Sequence, residues 1–227
     1  MANRLLKFGI LLVVLFFFIV FYLVYFGIET KNFNNIIQKK ILETNPNLKV
    51  ELKKVKIFLN LKDLSFDLTT IEPKLYLQNN LISLKKISTN LSINSYFNDS
   101  FAIKNIQLTS SKIDIKNLIK FARSYKNNPQ LFILEKIIRD GSIKINFKAE
   151  FDENGIIKDN YTLSGLVENI NIKLLNKDKI HNINFFFKTA KDQYYFEKIN
   201  LRFKELDLIS RRFSLFKKKD IFFVKGE

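Results

Sequence analysis

The sequence predicts a mainly β protein: an N-terminal transmembrane helix, a short amphipathic helix, and an antiparallel β-sheet that carries one helical insertion. Three observations support this fold class. The first 28 residues contain a long apolar run, and from residue 49 onward apolar residues alternate with polar ones. With 47% hydrophobic residues, the chain has enough apolar side chains for an ordered core. The sheet is expected to be either an open β-groove or a β-sandwich.

The membrane anchor is predicted at residues 1–28. Residues 8–28 are a run of 21 residues without a charge. As a helix, this run is about 31 Å long, which matches the ~30 Å hydrocarbon core of a bilayer. It ends in bulky aromatic residues and lacks a small-residue cleavage site, so an uncleaved, single-pass signal anchor is expected. Arg4 and Lys7 favour a cytoplasmic N-terminus, which places the rest of the chain on the other side of the membrane.

Several classes of protein are excluded by composition. The chain has no Cys and a single histidine, His181, which excludes disulfides, thiol nucleophiles and sites that need two imidazoles. It also lacks a Gly-rich phosphate loop and a nucleophile elbow. The carboxylates Glu150, Asp152 and Glu153 cluster at a predicted hairpin turn, where water surrounds them. We therefore expect no catalytic residues, no metal site, no cofactor and no enzymatic activity.

The net charge of +16 comes mostly from lysine, in a chain also rich in Ile, Asn and Phe. These four amino acids have A/T-rich codons, so codon bias is a sufficient explanation for much of the charge. A nucleic-acid partner is not expected, because the anchor keeps the body of the chain outside the cytoplasm. Anionic headgroups are a weak alternative for one basic cluster, which also fits a solvated hairpin turn: Arg211, Arg212, Lys217, Lys218 and Lys219.

After the anchor, residues 29–46 are predicted to form a juxtamembrane amphipathic helix, because Phe33, Ile37 and Ile41 recur at helical spacing. Residues 47–227 then form the β-rich domain. Residues 116–138 interrupt it as a helical insertion, in which the helical pattern of residues 116–126 is closed by Pro129. The alternating strand residues of the first half are Val50, Leu52; Leu64, Phe66, Leu68; Leu75, Leu77; Leu91, Ile93; Ile106, Leu108; and Ile113, Ile115.

The second half of the domain has one continuous apolar face. Asn154-Gly155 predicts a hairpin within it, and Gly165 is interpreted as the site of a bend or bulge. A sheet that is apolar on one side must be covered. The alternation alone favours a second sheet, while an open U-shaped sheet would hold acyl chains on this face. The residues that would line such a groove are Ile143, Ile145, Phe147, Phe151, Leu163, Val167, Ile183, Phe185, Phe187, Ile199, Leu201 and Phe203.

The order of anchor, short helix and alternating strands resembles the N-terminal region of the bacterial AsmA-like family, the AsmA, TamB and YhdP group. The segments that carry the resemblance are residues 101–108, 111–115, 140–145 and 152–155. The resemblance implies a single-pass protein of the Gram-negative inner membrane, with a periplasmic β-groove that binds phospholipid or another envelope lipid. It further implies a role in lipid transport and cell-envelope biogenesis. Residues 221–227 resemble a strand just begun, so either an N-terminal fragment or a short family member is expected.

Two other functions fit the same sequence. One is a component of a lipopolysaccharide bridge that resembles LptC, which also has a single helix followed by a β-jelly roll. The other is a membrane-anchored scaffold or assembly factor with a closed β-sandwich, whose sheet edges would recruit protein partners by strand addition.

Overall fold

The computed structural model describes residues 2–93, 103–174, 178–218 and 221–226. In this part of the chain the protein is mainly β, with one open antiparallel sheet that does not close into a barrel. The helices are α1 (Ala2–Tyr25), α2 (Asn32–Thr44), α3 (Ile115–Tyr125) and α4 (Pro129–Ile137).

The sheet has 14 strands, and every strand pairing is antiparallel. Their bounds are β1 (Ile28–Thr30), β2 (Leu48–Glu51), β3 (Val55–Asn60), β4 (Ser65–Ile71), β5 (Lys74–Leu77), β6 (Asn80–Ser92), β7 (Ile103–Ser110), β8 (Ile113–Asp114), β9 (Ile138–Glu150), β10 (Thr162–Lys173), β11 (Lys179–Ala190), β12 (Gln193–Phe203), β13 (Leu206–Lys218) and β14 (Ile221–Gly226).

The strands follow each other in space almost as they do in sequence. The order across the sheet is β1-β3-β4-β6-β7-β9-β10-β11-β12-β13-β14, with β2 and β5 as an arm on β6 and β8 beside β9. One face, here called the inner face, can be followed from strand to strand through paired residues. One such row is Val55, Thr70, Ile87, Leu108, Phe147, Leu163, Thr189, Tyr194, Leu215 and Val224.

The mainly β fold class is thus confirmed, and of the two forms that the sequence left open, the described residues have the open sheet. The alternative, a sandwich, is not what the described residues form, because they contain a single continuous sheet. Among these residues α1 is the one helix long and apolar enough to cross a membrane, with a span at Leu6–Tyr25 and a hydropathy of 2.9. Membrane anchors and signal sequences both have this property.

Helix α2 packs on the arm of the sheet through its apolar side. Ile37 and Ile41 lie against a small core of Val50, Leu52 and Val55. Two polar side chains of α2 also donate hydrogen bonds to the same region. Asn34 Nδ2 donates to the Leu52 carbonyl, and Gln38 Nε2 donates to the Val50 carbonyl, each at a distance of 2.9 Å. The helix begins three residues later than predicted, because strand β1 pairs with β3 before the helix starts.

The helical insertion differs from the prediction in two ways. Ile115, predicted as a strand residue, begins α3, because the Asp114 side chain accepts a hydrogen bond from the Asn117 N–H (3.0 Å) and caps the helix. Pro129, predicted to close the helix, is the first residue of α4. Proline suits this position because the first N–H of a helix has no acceptor within the helix. The Arg123–Glu135 ion pair joins the two helices.

The main core lies between α3 and the inner face of the sheet. Ile115 and Ile119 are the buried residues of α3, and the helix packs on β5, β6, β8 and β9. The buried strand residues of this core are Ile82, Leu84, Ile113, Ile138, Ile143, Val167, Ile170 and Ile183. The insertion therefore covers one end of the inner face.

The predicted hairpin between β9 and β10 is confirmed. Gly155 has a φ of +79°, and Asp152 Oδ1 accepts hydrogen bonds from the N–H groups of Asn154 (2.9 Å) and Ile156 (2.8 Å). Two predicted features lie partly outside the described residues: the segment 101–108, of which residues 101–102 are not described, and the basic cluster, of which Lys219 is not described.

Candidate functional site

The candidate site is the inner face of strands β9 to β13, which we call the apolar trough. Of the twelve predicted lining residues, eleven lie in β9–β12 and share this face, since they are paired through rows such as Ile143–Val167–Phe185 and Phe147–Leu163. The twelfth, Phe151, follows the end of β9 and forms an isolated bridge with Ile157. The structure thus brings nearly all of the predicted set together.

Three adjacent strands carry a β-bulge that keeps apolar side chains on the inner face. The bulged residues are Asn169 in β10, Asn182 in β11 and Lys198 in β12, with φ values of +54°, +53° and +52°. The extra residue in a bulge bends its strand and increases its twist. The bulges therefore curve the sheet across the trough.

Each bulge shifts the apolar period from two residues to three. The apolar pairs that flank the bulges are Val167 and Ile170, Ile180 and Ile183, and Phe196 and Ile199. Asparagine side chains support the bends, since Asn184 Oδ1 accepts from the Asn169 N–H (2.8 Å) and Asn171 Oδ1 from the Asn182 N–H (3.1 Å). Asparagine is also among the residues that tolerate a positive φ.

Because of this shift, simple alternation missed part of the trough. Phe213 and Leu215 were missed for another reason, since β13 was not predicted as a strand. For the residues displaced by a bulge, the signal in the sequence was a spacing of three residues between apolar positions, with Asn or Lys between them. The large apolar inner-face residues of β9–β13 that the sequence analysis did not include are Ile138, Ile170, Ile172, Ile180, Tyr194, Phe196, Leu206, Leu208, Phe213 and Leu215.

The trough has a covered end and an open end. At the covered end, beneath α3, Ile143, Val167 and Ile183 are only 7%, 3% and 9% exposed, so this part is a dry core. Toward the other end the lining residues are half-buried. None of the described helices packs on β10–β13 there.

Four phenylalanines form a strip across β11, β12 and β13, in which Phe185 and Phe187 pack against the main core and Phe196 and Phe213 continue toward the open end. Phe185 contacts Phe187 and Phe196 with ring centroids 6.3 and 5.7 Å apart, and Phe196 contacts Phe213 at 6.0 Å. All four rings are half-buried. Edge-to-face and tilted rings at these separations are favourable contacts, so the strip is an ordered apolar surface.

Gly165 determines how closely this strip can pack. It lies opposite Ile145 and Phe187 on the inner face. A Cβ atom at Gly165 would be 2.2 Å from the Lys144 carbonyl oxygen and 2.7 Å from the Phe187 ring. Gly165 was interpreted from the sequence as the site of a bend or bulge, but the bulge in β10 is at Asn169. The structural reason for glycine is the close approach of β9 and Phe187.

The outer face of the same strands is polar. Glu168 Oε2 lies 3.2 Å from Lys112 Nζ and 3.7 Å from Lys144 Nζ, which links β10 to β9 and to the residue before β8. The hydrogen bond from Lys112 and the two positive charges hold the pKa of Glu168 below its usual range. The sheet is thus amphipathic across its thickness, with charge on the outside and apolar rings inside.

The predicted basic cluster is divided by the structure. Arg211 and Arg212 lie near the middle of β13, and Arg212 pairs with Glu197 over 3.2 Å. Lys217 and Lys218 lie at the end of the strand, about 17 Å away for a rise of ~3.3 Å per residue. The four described residues of the cluster are therefore spread along β13.

The one histidine, His181, and most of the carboxylates lie in the described part of the chain. No group of three His, Asp or Glu side chains there could hold a metal ion. His181 Nδ1 lies 3.2 Å from Asn171 Oδ1, beside the bulge in β11, so its visible contact is structural.

The chain matches no protein-family model, and no curated protein or solved structure is significantly similar to it. Arguments about function therefore depend on the trough itself.

Proposed function

We propose that this protein is a membrane-anchored lipid-binding protein that holds acyl chains on the open end of the apolar trough. The observation that carries the proposal is the strip formed by Phe185, Phe187, Phe196 and Phe213, which is apolar, ordered and partly exposed. Contiguous exposed apolar surface in a folded protein marks a binding site. The strip lies in a curved sheet, which suits an elongated apolar ligand.

The energetics favour an acyl chain. Each methylene group removed from water contributes about 0.8 kcal/mol, so a chain that covers the strip would gain several kcal/mol without any polar contact. The trough offers few polar groups that would require a specific headgroup. We therefore propose recognition of the acyl chains, with the headgroup left in water at the rim.

The wider role follows the AsmA-like resemblance and is part of the proposal. The apolar helix α1 would anchor the protein in the inner membrane with its N-terminus in the cytoplasm, and the sheet would lie in the periplasm. There the protein would take part in phospholipid transport and envelope biogenesis. The apolar length of α1 supports the anchor, and the open sheet supports the groove.

Native mass spectrometry with lipid extraction tests the proposal on residues 29–227, purified from a Gram-negative host without the anchor. We expect stoichiometric phospholipid or another envelope lipid bound to the protein. The identity of the lipid separates two readings, since a lipopolysaccharide-type lipid favours an LptC-like role. A stable, monodisperse domain without lipid would contradict the proposal.

One observation favours the scaffold function as a second candidate. Strand β14 is apolar and exposed on both faces, with Ile221, Phe222, Phe223 and Val224 between 52% and 63% exposed. It pairs only with β13 in the described sheet, so its other edge can accept a strand from a protein partner. The same purification distinguishes the scaffold function from the lipid-binding function, because a scaffold retains a protein partner and not a lipid.

A further inference from the structure

The turn between β3 and β4, residues 61–64, lies beside the apolar helix α1. Leu61 shares a surface cleft of about 520 Å³ with one side of the helix, where the lining is entirely apolar or aromatic. The helix residues that line this cleft are Val14, Phe17, Phe18, Val20, Phe21, Val24 and Tyr25. The turn therefore reaches back along the segment that is proposed to cross the membrane.

The connection after α1 explains this placement. The N–H groups of Phe26 and Gly27 both donate to the Tyr22 carbonyl (2.9 and 3.1 Å) and end the helix, with Gly27 at a φ of +66°. Strand β1 follows at once and pairs Ile28 with Ile57.

The junction is also tightly packed. A Cβ atom at Gly27 would lie 2.6 Å from the Ile57 carbonyl oxygen and 3.0 Å from the Phe58 ring. The start of the sheet is thus closely packed against the end of α1.

Strand β3 runs antiparallel to β1, so beyond Ile57 it points back along α1. Leu61 is four residues further on, which is about 13 Å at ~3.3 Å per residue. Helix α1 covers the same distance in about nine residues at ~1.5 Å each. The turn is therefore level with the C-terminal part of α1, in agreement with the lining of the cleft.

The turn combines apolar residues with the charged Lys62 and Asp63, so its leucines can enter the leaflet only where these charges reach headgroups or water. Leu61 and Leu64 are each 53% exposed, although leucine is an apolar residue, and Lys62 between them is exposed as well. A lysine at this depth can extend its ammonium group to the headgroups.

The polar groups of the turn are partly paired internally. Asn60 Oδ1 accepts from the Asp63 N–H (3.2 Å), and the Lys104 ammonium donates to the Asp63 carbonyl (3.2 Å). Such pairing lowers the cost of leaving bulk water.

We propose that the β3–β4 turn is a second membrane contact, in which Leu61 and Leu64 insert into the leaflet that α1 enters on the side of the sheet. The occupant of the cleft is an acyl chain of that leaflet, because its other wall is the membrane-spanning helix. Two membrane contacts fix the tilt of the sheet relative to the bilayer, whereas the helix alone would leave that tilt variable. This inference rests on the membrane anchor of the proposed function, but not on lipid binding in the trough.

Depth-dependent fluorescence quenching tests the contact on the full chain in phosphatidylcholine and phosphatidylglycerol vesicles. The chain has no Cys, so a single cysteine carries the only label. The variants Leu61→Cys, Ile71→Cys and Val13→Cys each receive an environment-sensitive nitrobenzoxadiazole dye. Ile71 is the matched control, since it is 57% exposed and lies at the opposite end of β4. Val13 reports on the anchor itself.

We expect lipids with a nitroxide on the acyl chain to quench Leu61 and Val13 strongly and Ile71 several-fold less. Quenching at Val13 without quenching at Leu61 would overturn the second contact and leave the anchor in place. Absence of quenching at both would overturn the anchor and the contact together. Equal quenching at Leu61 and Ile71 would also overturn the proposal, because the sheet would then lie flat on the membrane. Lys62→Cys repeats the test at the same turn if Leu61→Cys does not fold.

Discussion

The variant Phe196→Asp is expected to lose its bound lipid while it keeps its fold. Phe196 is the central ring of the phenylalanine strip, in contact with Phe185 and Phe213. It is half-buried and lies outside the core beneath α3, so an aspartate there stays hydrated in the empty trough. A bound acyl chain would strip that water from the carboxylate. We expect retention of lipid to fall by about tenfold or more, because an unpaired charge against hydrocarbon costs more than the ~1.4 kcal/mol of a tenfold change.

The matched control for this variant is Phe186→Asp. Phe186 lies on β11, adjacent in sequence to two residues of the strip, but it faces the outside and is 43% exposed. It contacts Lys198, whose ammonium is 5.4 Å from the ring centroid, so the substitution removes only a surface contact. Lipid retained per protein, measured by native mass spectrometry, should be normal in this control. Equal retention in both variants would show that the strip does not touch the lipid.

The variant Gly165→Ala is expected to lower the free energy of unfolding by about 1–3 kcal/mol, in the range for overpacking of a tight site. The added methyl group would be 2.2 Å from a backbone oxygen of β9, which cannot rotate away as a side chain can. It would also displace the Phe187 ring from its contact with Phe185. Chemical denaturation followed by circular dichroism measures the change.

Gly226→Ala is the control for the same backbone change. Gly226 lies on β14 beside Phe213, at the far end of the row that contains Gly165, Phe187 and Phe196. A Cβ atom there would be 3.8 Å from the Phe213 ring, an ordinary contact. We expect its stability to stay within about 0.5 kcal/mol of the native chain. An unchanged stability for Gly165→Ala would mean that β9 and β10 are not as close as the structure has them.

Much of the sheet could be predicted because alternation depends only on local geometry. In β9, Ile143, Ile145 and Phe147 face the same side with no bulge between them, so a period of two identified the face directly. The hairpin at Asn154-Gly155 was also predictable, since a φ of +79° suits glycine and few other residues.

Features that depend on neighbouring strands could not be predicted in this way. The bulges at Asn169, Asn182 and Lys198 are defined by the pairing of two strands, and a pattern within one strand does not contain that information. Phe196 was missed for this reason, although it is at the centre of the strip.

The open form of the sheet was equally beyond the sequence pattern. An apolar face on one side fits a sandwich and a groove alike, and the continuous pairing of the strands in one sheet distinguishes them. Pro129 illustrates a different limit. Proline can end one helix or begin the next, and the Asn128 side chain that caps α4 decides between these roles.

The central claim is that the open end of the trough contacts lipid in the membrane-bound protein. Site-specific photo-crosslinking in cells tests it most directly, with benzoylphenylalanine in place of Phe196 on the inner face or Phe186 on the outer face of the full chain. The account predicts lipid adducts, identified by their mass, at Phe196 and few or none at Phe186. Equal yields at the two positions, or protein adducts alone at Phe196, would contradict it.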